Sequence, residues 1–223
     1  MKKGKKKFSF KKVFIFLILI VVLYLGITFL LGIKTKNIII LNNNYYNDEV
    51  IIETAGIENY PSFLTLSRKS IKKKLKKLDL IEDVKVHKKL GFVLEIEVKE
   101  KKILYYVRSK EQYRVSDNNT YELEDVMGYP TLINYVPESI EKTLVKELSK
   151  VDTSIIKMIS EIEYSKTDYD EKRFLLYMND GRQVYITVLK ADILNKYVDI
   201  IKKLGNKKGI LYLDSGNYFE IKE

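Results

Sequence analysis

Between Val13 and Ile33 the chain reads VFIFLILIVVLYLGITFLLGI, 21 residues without a charge. As an α-helix rising about 1.5 Å per residue, such a run reaches roughly 30 Å, the thickness of a bilayer's hydrocarbon. A secretory signal core is shorter, about 7–15 residues, and ends in a small-residue cleavage site. Here the run ends LLGIKTKN, so residues 13–33 read as an uncleaved transmembrane anchor. Lys2, Lys3, Lys5, Lys6, Lys7, Lys11 and Lys12 precede it, and only Lys34 and Lys36 follow closely. That asymmetry orients the span: residues 1–12 are expected as a basic cytoplasmic tail, with the bulk of the chain outside the cell membrane.

The same tail explains the charge. The 223-residue chain carries 40 Lys+Arg against 30 Asp+Glu, a net +10. Seven of the lysines precede the span, so residues 34–223 hold 33 basic against 30 acidic residues, or +3. The basicity belongs to a segment that orients the anchor and meets anionic lipid, and no nucleic-acid-binding domain is expected. There is no Cys and one His, His87. That removes disulfides and thiol metal sites, and it argues against a His-based zinc centre or a Ser-His-Asp triad.

Outside the span, Asn37–Leu41 is β-prone and breaks at Asn42-Asn43-Asn44. Asn47 or Asp48 can cap a helix with Val50, Ile51 and Ala55 as apolar members and Gly56 as its stop. Leu66, Ile71, Leu75 and Leu78 keep helical spacing over 66–78. The other positions hold Arg68, Lys69, Lys72, Lys73, Lys74, Lys76 and Lys77, read as a solvated face, with an electrostatic role against wall or lipid anions as the alternative. Val84 and Val86, then Gly91, then Phe92, Leu94, Ile96 and Val98 alternate on two strands of a hairpin. Residues 36–101 thus read β-α-α-β-β, enough for one small core.

Residues 102–223 read as short strands with helices between them. Strands are expected at 103–107, 113–115, 159–164, 174–178, 184–188, 210–213 and 218–221, and helices at 139–148 and 191–204, with a helical turn near 153–158. GYPTLINY reads as extended and irregular. Asp180-Gly181 suits a type I′ hairpin turn. The fold class is α+β: one membrane helix, a β-α-α-β-β module, and a mostly antiparallel β domain with flanking helices.

No G-x-x-x-x-G-K-[ST], G-x-G-x-x-G or G-x-S-x-G occurs. Glu95 and Glu97 stand i and i+2 on one strand face, about 6.6–7 Å apart; they read as a solvent face opposite the buried row. His87 packs or faces water. No catalytic constellation, cofactor site or metal site is expected.

Basic tail, single span, β-α-α-β-β module and β domain, in that order, resemble the FtsQ/DivIB division proteins, with the module similar to a POTRA domain. Ile71, Leu75, Leu78, Val84, Val86, Leu94, Ile96, Val98 and Glu100 fill places of that domain's pattern. GILYLDSGNYF is similar to the Gram-positive ending G-x-x-D-x-E-x-G-x-Y-F. Gly209, Gly216, Tyr218 and Phe219 match, while Tyr212 stands where the pattern has Asp and Asp214 where it has Glu. The resemblance implies a non-enzymatic scaffold at the division septum. Its expected partners are FtsL-like and DivIC/FtsB-like single-span proteins, with septal peptidoglycan synthases as further clients. It implies no small-molecule substrate.

Since an open strand edge recruits another chain, Ile210, Leu211, Tyr212, Leu213, Tyr218 and Phe219 are the candidate partner-binding residues. The rival reading is a membrane-anchored POTRA-type module for export, assembly or envelope polymer, without a division-specific role.

Overall fold

A computed structural model describes residues 10–124 and 126–221. Helix α1 spans Phe10–Leu31, and its segment Val13–Leu31 is long and apolar enough to cross a membrane, with none of it buried. Lys11 is exposed at its start and Lys12 lies in the helix. Lys2, Lys3, Lys5, Lys6 and Lys7 lie outside the described residues. The chain divides into two compact units, one ending at Glu100 and the other beginning at Lys101.

In the first unit β1 (Asn37–Leu41), α2 (Asp48–Ala55), α3 (Arg68–Leu75), β2 (Ile81–Lys89) and β3 (Val93–Glu100) follow α1. The sheet order is β1-β3-β2, with β1 parallel and β2 antiparallel to β3. The two helices close one face over Ile51, Ala55, Ile71, Leu75, Val84, Val86, Leu94, Ile96 and Val98. The Asn47 side chain accepts the Val50 amide at 2.9 Å, and Gly56 ends α2 in the left-handed region at φ 69°. The Glu100 carboxylate accepts the amides of Asn44, Tyr45 and Tyr46 at 2.9, 2.8 and 3.1 Å. This fixes the bend between β1 and α2.

Two expectations need correction in this unit. The helix expected over 66–78 is α3, which starts after the Ser67 cap and stops at Leu75. The amides of Lys77 and Leu78 turn to the carbonyls three residues back, a tighter turn that delivers Leu80 fully buried. Phe92 leaves the strand. It follows Gly91 in the hairpin turn, at φ 62° after 82°.

The second unit holds β4 (Ile103–Val107), β5 (Gln112–Val115), β6 (Thr120–Tyr121), β7 (Thr131–Leu132), α4 (Glu138–Leu148) and α5 (Thr153–Ile156). Then come β8 (Ile159–Tyr164), β9 (Arg173–Met178), β10 (Gln183–Thr187), a 3₁₀ segment Val188–Lys196, α6 (Tyr197–Leu204), β11 (Gly209–Tyr212) and β12 (Tyr218–Ile221). Nine strands form one sheet in the order β12-β11-β10-β9-β8-β7-β4-β5-β6. Most neighbours are antiparallel; β10–β11, β4–β7 and β7–β8 are parallel. A single core joins Leu144, Leu148, Phe174, Leu176, Val184, Ile186, Leu194 and Tyr197.

The irregular reading of 128–135 fails at Thr131–Leu132, which slots between β4 and β8; two residues are too few to show alternation. The helix expected over 191–204 begins as the 3₁₀ segment, and only from Tyr197 is it α-helical. Ala191, Leu194 and Tyr197 are buried, while Ile193, Ile200 and Ile201 are half-buried. The Asp180-Gly181 turn is not type I′, because that type needs positive φ at both central residues and only Gly181 has it, at 84°. Asp180 has other partners. It accepts Arg182 Nη1 at 2.5 Å and the Tyr197 hydroxyl at 2.9 Å. Arg182, itself buried, also donates through Nε to the Lys207 carbonyl at 3.0 Å. These bonds fix the start of β11 against the hairpin.

Candidate partner-binding edge of the large sheet

Among the described residues, β12 has β11 on one side and no strand on the other. Its neighbour is built by the return of the chain through α6, which lays β11 parallel to β10 with Val184 opposite Leu211 and Tyr185 opposite Tyr212. β12 then pairs antiparallel, with Leu211 opposite Phe219 and Tyr212 opposite Tyr218. Gly209 permits this approach: a Cβ there would overlap the Glu220 carbonyl oxygen and stand 3.0 Å from the Ile221 Cα. The connecting turn places Asn217 at φ 55°.

Strand alternation splits the six candidate residues between two faces. Leu211 and Leu213 are 3% and 4% exposed, and Phe219 packs on the same core. Leu211 and Leu213 are therefore turned into the core, Leu211 opposite buried Val184, and they hold the strand down. Ile210, Tyr212 and Tyr218 point the other way. Tyr218 is 50% exposed; Ile221, unanticipated and on the Phe219 side of β12 but at its end, is 55% exposed.

On the outward face the tyrosines form a row across three strands. The Tyr185 and Tyr212 rings stack at 5.3 Å and 24°, and those of Tyr212 and Tyr218 at 4.5 Å and 13°. The Arg173 guanidinium lies 3.5 Å over the Tyr185 ring and binds Asp214 Oδ2 through Nε at 2.6 Å. Asp214 thereby ties the β11–β12 loop to β9. The Tyr212 hydroxyl donates to Glu220 at 2.9 Å; that bond, with burial and the carboxylate's charge, pushes it up to about 12. Tyr177 is likewise held at about 12 by its bond to Glu163. These hydroxyls stay protonated donors at neutral pH, on a face that also bears Glu161, Glu163 and Glu220 through the pairing register. Sequence reading passed over Arg173, Tyr177 and Tyr185; the alternation QVYIT is the signal that could have placed Tyr185.

Elsewhere the polar groups serve the fold. Glu97 pairs with Lys85 at 3.4 Å and Glu95 with Lys89; His87 is exposed. In the basic segment, Lys72 of α3 and Lys76 at its C-terminal cap hold Asp83 at 2.8 and 2.9 Å, and Lys74 donates to the Ala55 carbonyl at 2.9 Å. No group of three or more metal-ligating side chains occurs among the described residues.

Residues 33–101 match the family described as "POTRA domain, FtsQ-type". The cell division protein DivIB of Brevibacillus brevis is 27% identical over 228 residues, covering 98% of this chain and 85% of that protein. The DivIB of Bacillus subtilis is 29% identical over 226 residues, covering 98% and 84%. A solved extracytoplasmic domain of DivIB from Geobacillus stearothermophilus aligns with 23% identity and a TM-score of 0.40, covering 48% of this chain and 95% of that one.

Proposed function

We propose that this chain is an FtsQ/DivIB-type division protein, a non-enzymatic scaffold that captures another division protein along the open edge of β12. The observation that carries the reading is the combination at that edge: an unpaired strand, a half-exposed Tyr218 and Ile221, and a tyrosine row held in place by Arg173 and Asp214. An extended segment adding beside β12 gains main-chain hydrogen bonds, and alternate side chains supply specificity. Tyrosines already held by stacking lose little further freedom on binding, which lowers the cost of association.

The partners that suit this role are the extracellular parts of FtsL-like and DivIC/FtsB-like single-span proteins, each tethered in the same membrane. Helix α1 is then the anchor, with residues 1–12 cytoplasmic and the two outer units at the septum, where they hold the complex near the septal peptidoglycan synthases.

Amide exchange on the full chain in detergent, with and without a DivIC-like partner, tests this. Slowed exchange at 218–221 is expected, and Tyr218→Ala with Ile221→Lys should abolish it. Unchanged protection across 209–221 on saturation with partner ends the proposal.

A further inference from the structure

The end of the first unit nearest α1 is not joined to it by a loose tether. The Ser62 hydroxyl donates to the Leu31 carbonyl. The Phe63 amide donates to the Ile33 carbonyl at 2.9 Å, the Thr35 amide to the Pro61 carbonyl at 3.0 Å, and the Lys36 amide to the Phe92 carbonyl at 2.9 Å. Two loops, one around Pro61–Leu64 and the β2–β3 turn at Leu90–Phe92, are thereby pinned within a few residues of the last apolar turn of the span.

What those loops display is apolar and basic. Leu90 is fully exposed and Leu64 is 47% exposed. The Phe63 and Phe92 rings meet edge to face at 5.6 Å. Lys88 lies 5.3 Å over Phe63 and donates to the Leu64 carbonyl at 3.2 Å; Lys36 lies 5.6 Å over Phe92. Burial, and then the like charge of Arg68, hold the Lys88 ammonium below its ordinary value. Among the described residues no carboxylate is ion-paired with Lys34, Lys36, Arg68 or Lys88. Phe92 also sits at φ 62°, a conformation that costs a bulky residue free energy and is held only by its surroundings.

We propose that this pole of the POTRA-type unit docks on the outer leaflet of its own membrane, with Leu64 and Leu90 entering the headgroup boundary and Lys34, Lys36, Arg68 and Lys88 meeting lipid phosphates. An isolated exposed leucine at a turn is unremarkable in water, but these two stand on loops whose neighbouring residues are hydrogen-bonded to the exit of a membrane span. Basic residues there gain from an anionic surface by about fivefold in affinity each, and aliphatic stems beneath charged heads suit the boundary. Tyr60 is not an insertion point, since it rims a groove with Glu53 and Glu58. Docking fixes the height and tilt of the unit above the bilayer. The inference rests on α1 being the membrane span.

The chain contains no tryptophan, so single indoles report without background. Full-length Leu64→Trp, Leu90→Trp, Ile20→Trp and Lys99→Trp variants are placed in phosphatidylcholine vesicles with or without phosphatidylglycerol. Lys99 lies at the far end of β3, about 20 Å from Val93. Expected with phosphatidylglycerol are blue-shifted emission and quenching by shallow-brominated lipid at positions 64 and 90, deep quenching at 20, and water-like emission at 99.

Adding Lys36→Gln, Arg68→Gln and Lys88→Gln should weaken the docked state on the order of 100-fold, returning L90W to acrylamide-accessible emission. Deep quenching at 20 with water-like emission at both 64 and 90 overturns the docking and leaves the span standing. Water-like emission at 20 overturns both. Lipid quenching at 90 that is unmoved by the triple change overturns the role of the basic residues.

Discussion

Replacing Gly209 with alanine places a methyl carbon inside the contact distance of the Glu220 carbonyl oxygen and 3.0 Å from both its carbonyl carbon and the Ile221 Cα. The obstructing atoms are backbone, so no rotamer change relieves them. The β12 backbone must retreat by on the order of 1 Å to restore van der Waals separation. That displacement breaks the Gly209–Ile221 pairing and loosens the Ile210–Glu220 pairing beside it.

The losses are bounded: a net of about 0.5–1.5 kcal/mol for a hydrogen bond at an edge open to water, about 0.5–1.5 for the Tyr212–Tyr218 stack, and up to about 1 for partial exposure of Phe219. The opening free energy of β12 should fall by about 2–3 kcal/mol, so protected amides in 218–221 should exchange roughly 30–150 times faster while those of β9 and β10 keep their rates. Gly181→Ala is the control. It also has positive φ, but nothing lies within 4 Å of its Cβ, so it should cost only the left-handed penalty, about 1–2 kcal/mol, and leave β12 unchanged. If Gly209→Ala leaves exchange in 218–221 within threefold of the parent, the close approach at Gly209 is not what holds the edge strand, and β12 must be secured by other contacts.

Arg182→Met should destabilise the second unit by about 3–5 kcal/mol in urea, because Asp180 and the Lys207 carbonyl lose a buried donor; Tyr197→Phe, removing one hydrogen bond to Asp180, should cost about 1 kcal/mol. Glu100→Ala leaves three backbone amides of the β1–α2 bend without their acceptor and should cost the first unit about 1–3 kcal/mol by thermal melting. Burial raises the Asp117 carboxyl, but hydrogen bonds from Tyr121, Lys101 and Asn119 outweigh it and hold it at about 2. A depressed carboxylate adds stability above the unfolded value near 3.9, and that stability is lost as pH falls through the folded value. Acid titration from pH 5 to 2 should therefore lower the stability of the second unit by less than the full shift implies, because Asp117 is exposed and solvent screens it, and Asp117→Asn should flatten that part of the profile.

The first unit is legible in the sequence because its signals are local. Asn47 and Gly56 bound α2 as cap and stop, and the β2–β3 alternation separates Val84, Val86, Leu94, Ile96 and Val98 from Lys85, Glu95 and Glu97 without reference to anything distant. The second unit is less so wherever pairing is remote. Thr131–Leu132 becomes strand only because β4 and β8 flank it from positions more than twenty residues away in sequence. The 3₁₀ segment before Tyr197 carries the same apolar spacing as a helix, and its kink at Lys190 leaves no compositional trace.

The outer edge shows the same limit and its physical origin. Period two divides Ile210–Leu213 into two faces, but sequence alone does not say which is wet. That choice is made by the parallel register against β10, where Leu211 meets buried Val184 and Tyr212 meets Tyr185. The two departures from the Gram-positive ending that this segment resembles then become intelligible together. Asp214, shorter by one methylene than the Glu of the pattern, still reaches Arg173 at 2.6 Å, so charge and reach survive the change. Tyr212 exchanges a carboxylate for a ring stacked between Tyr185 and Tyr218. Arg173 sits at one end of that stack and the open strand at the other, so the ion pair that closes the loop also orders the ring that a partner would meet first.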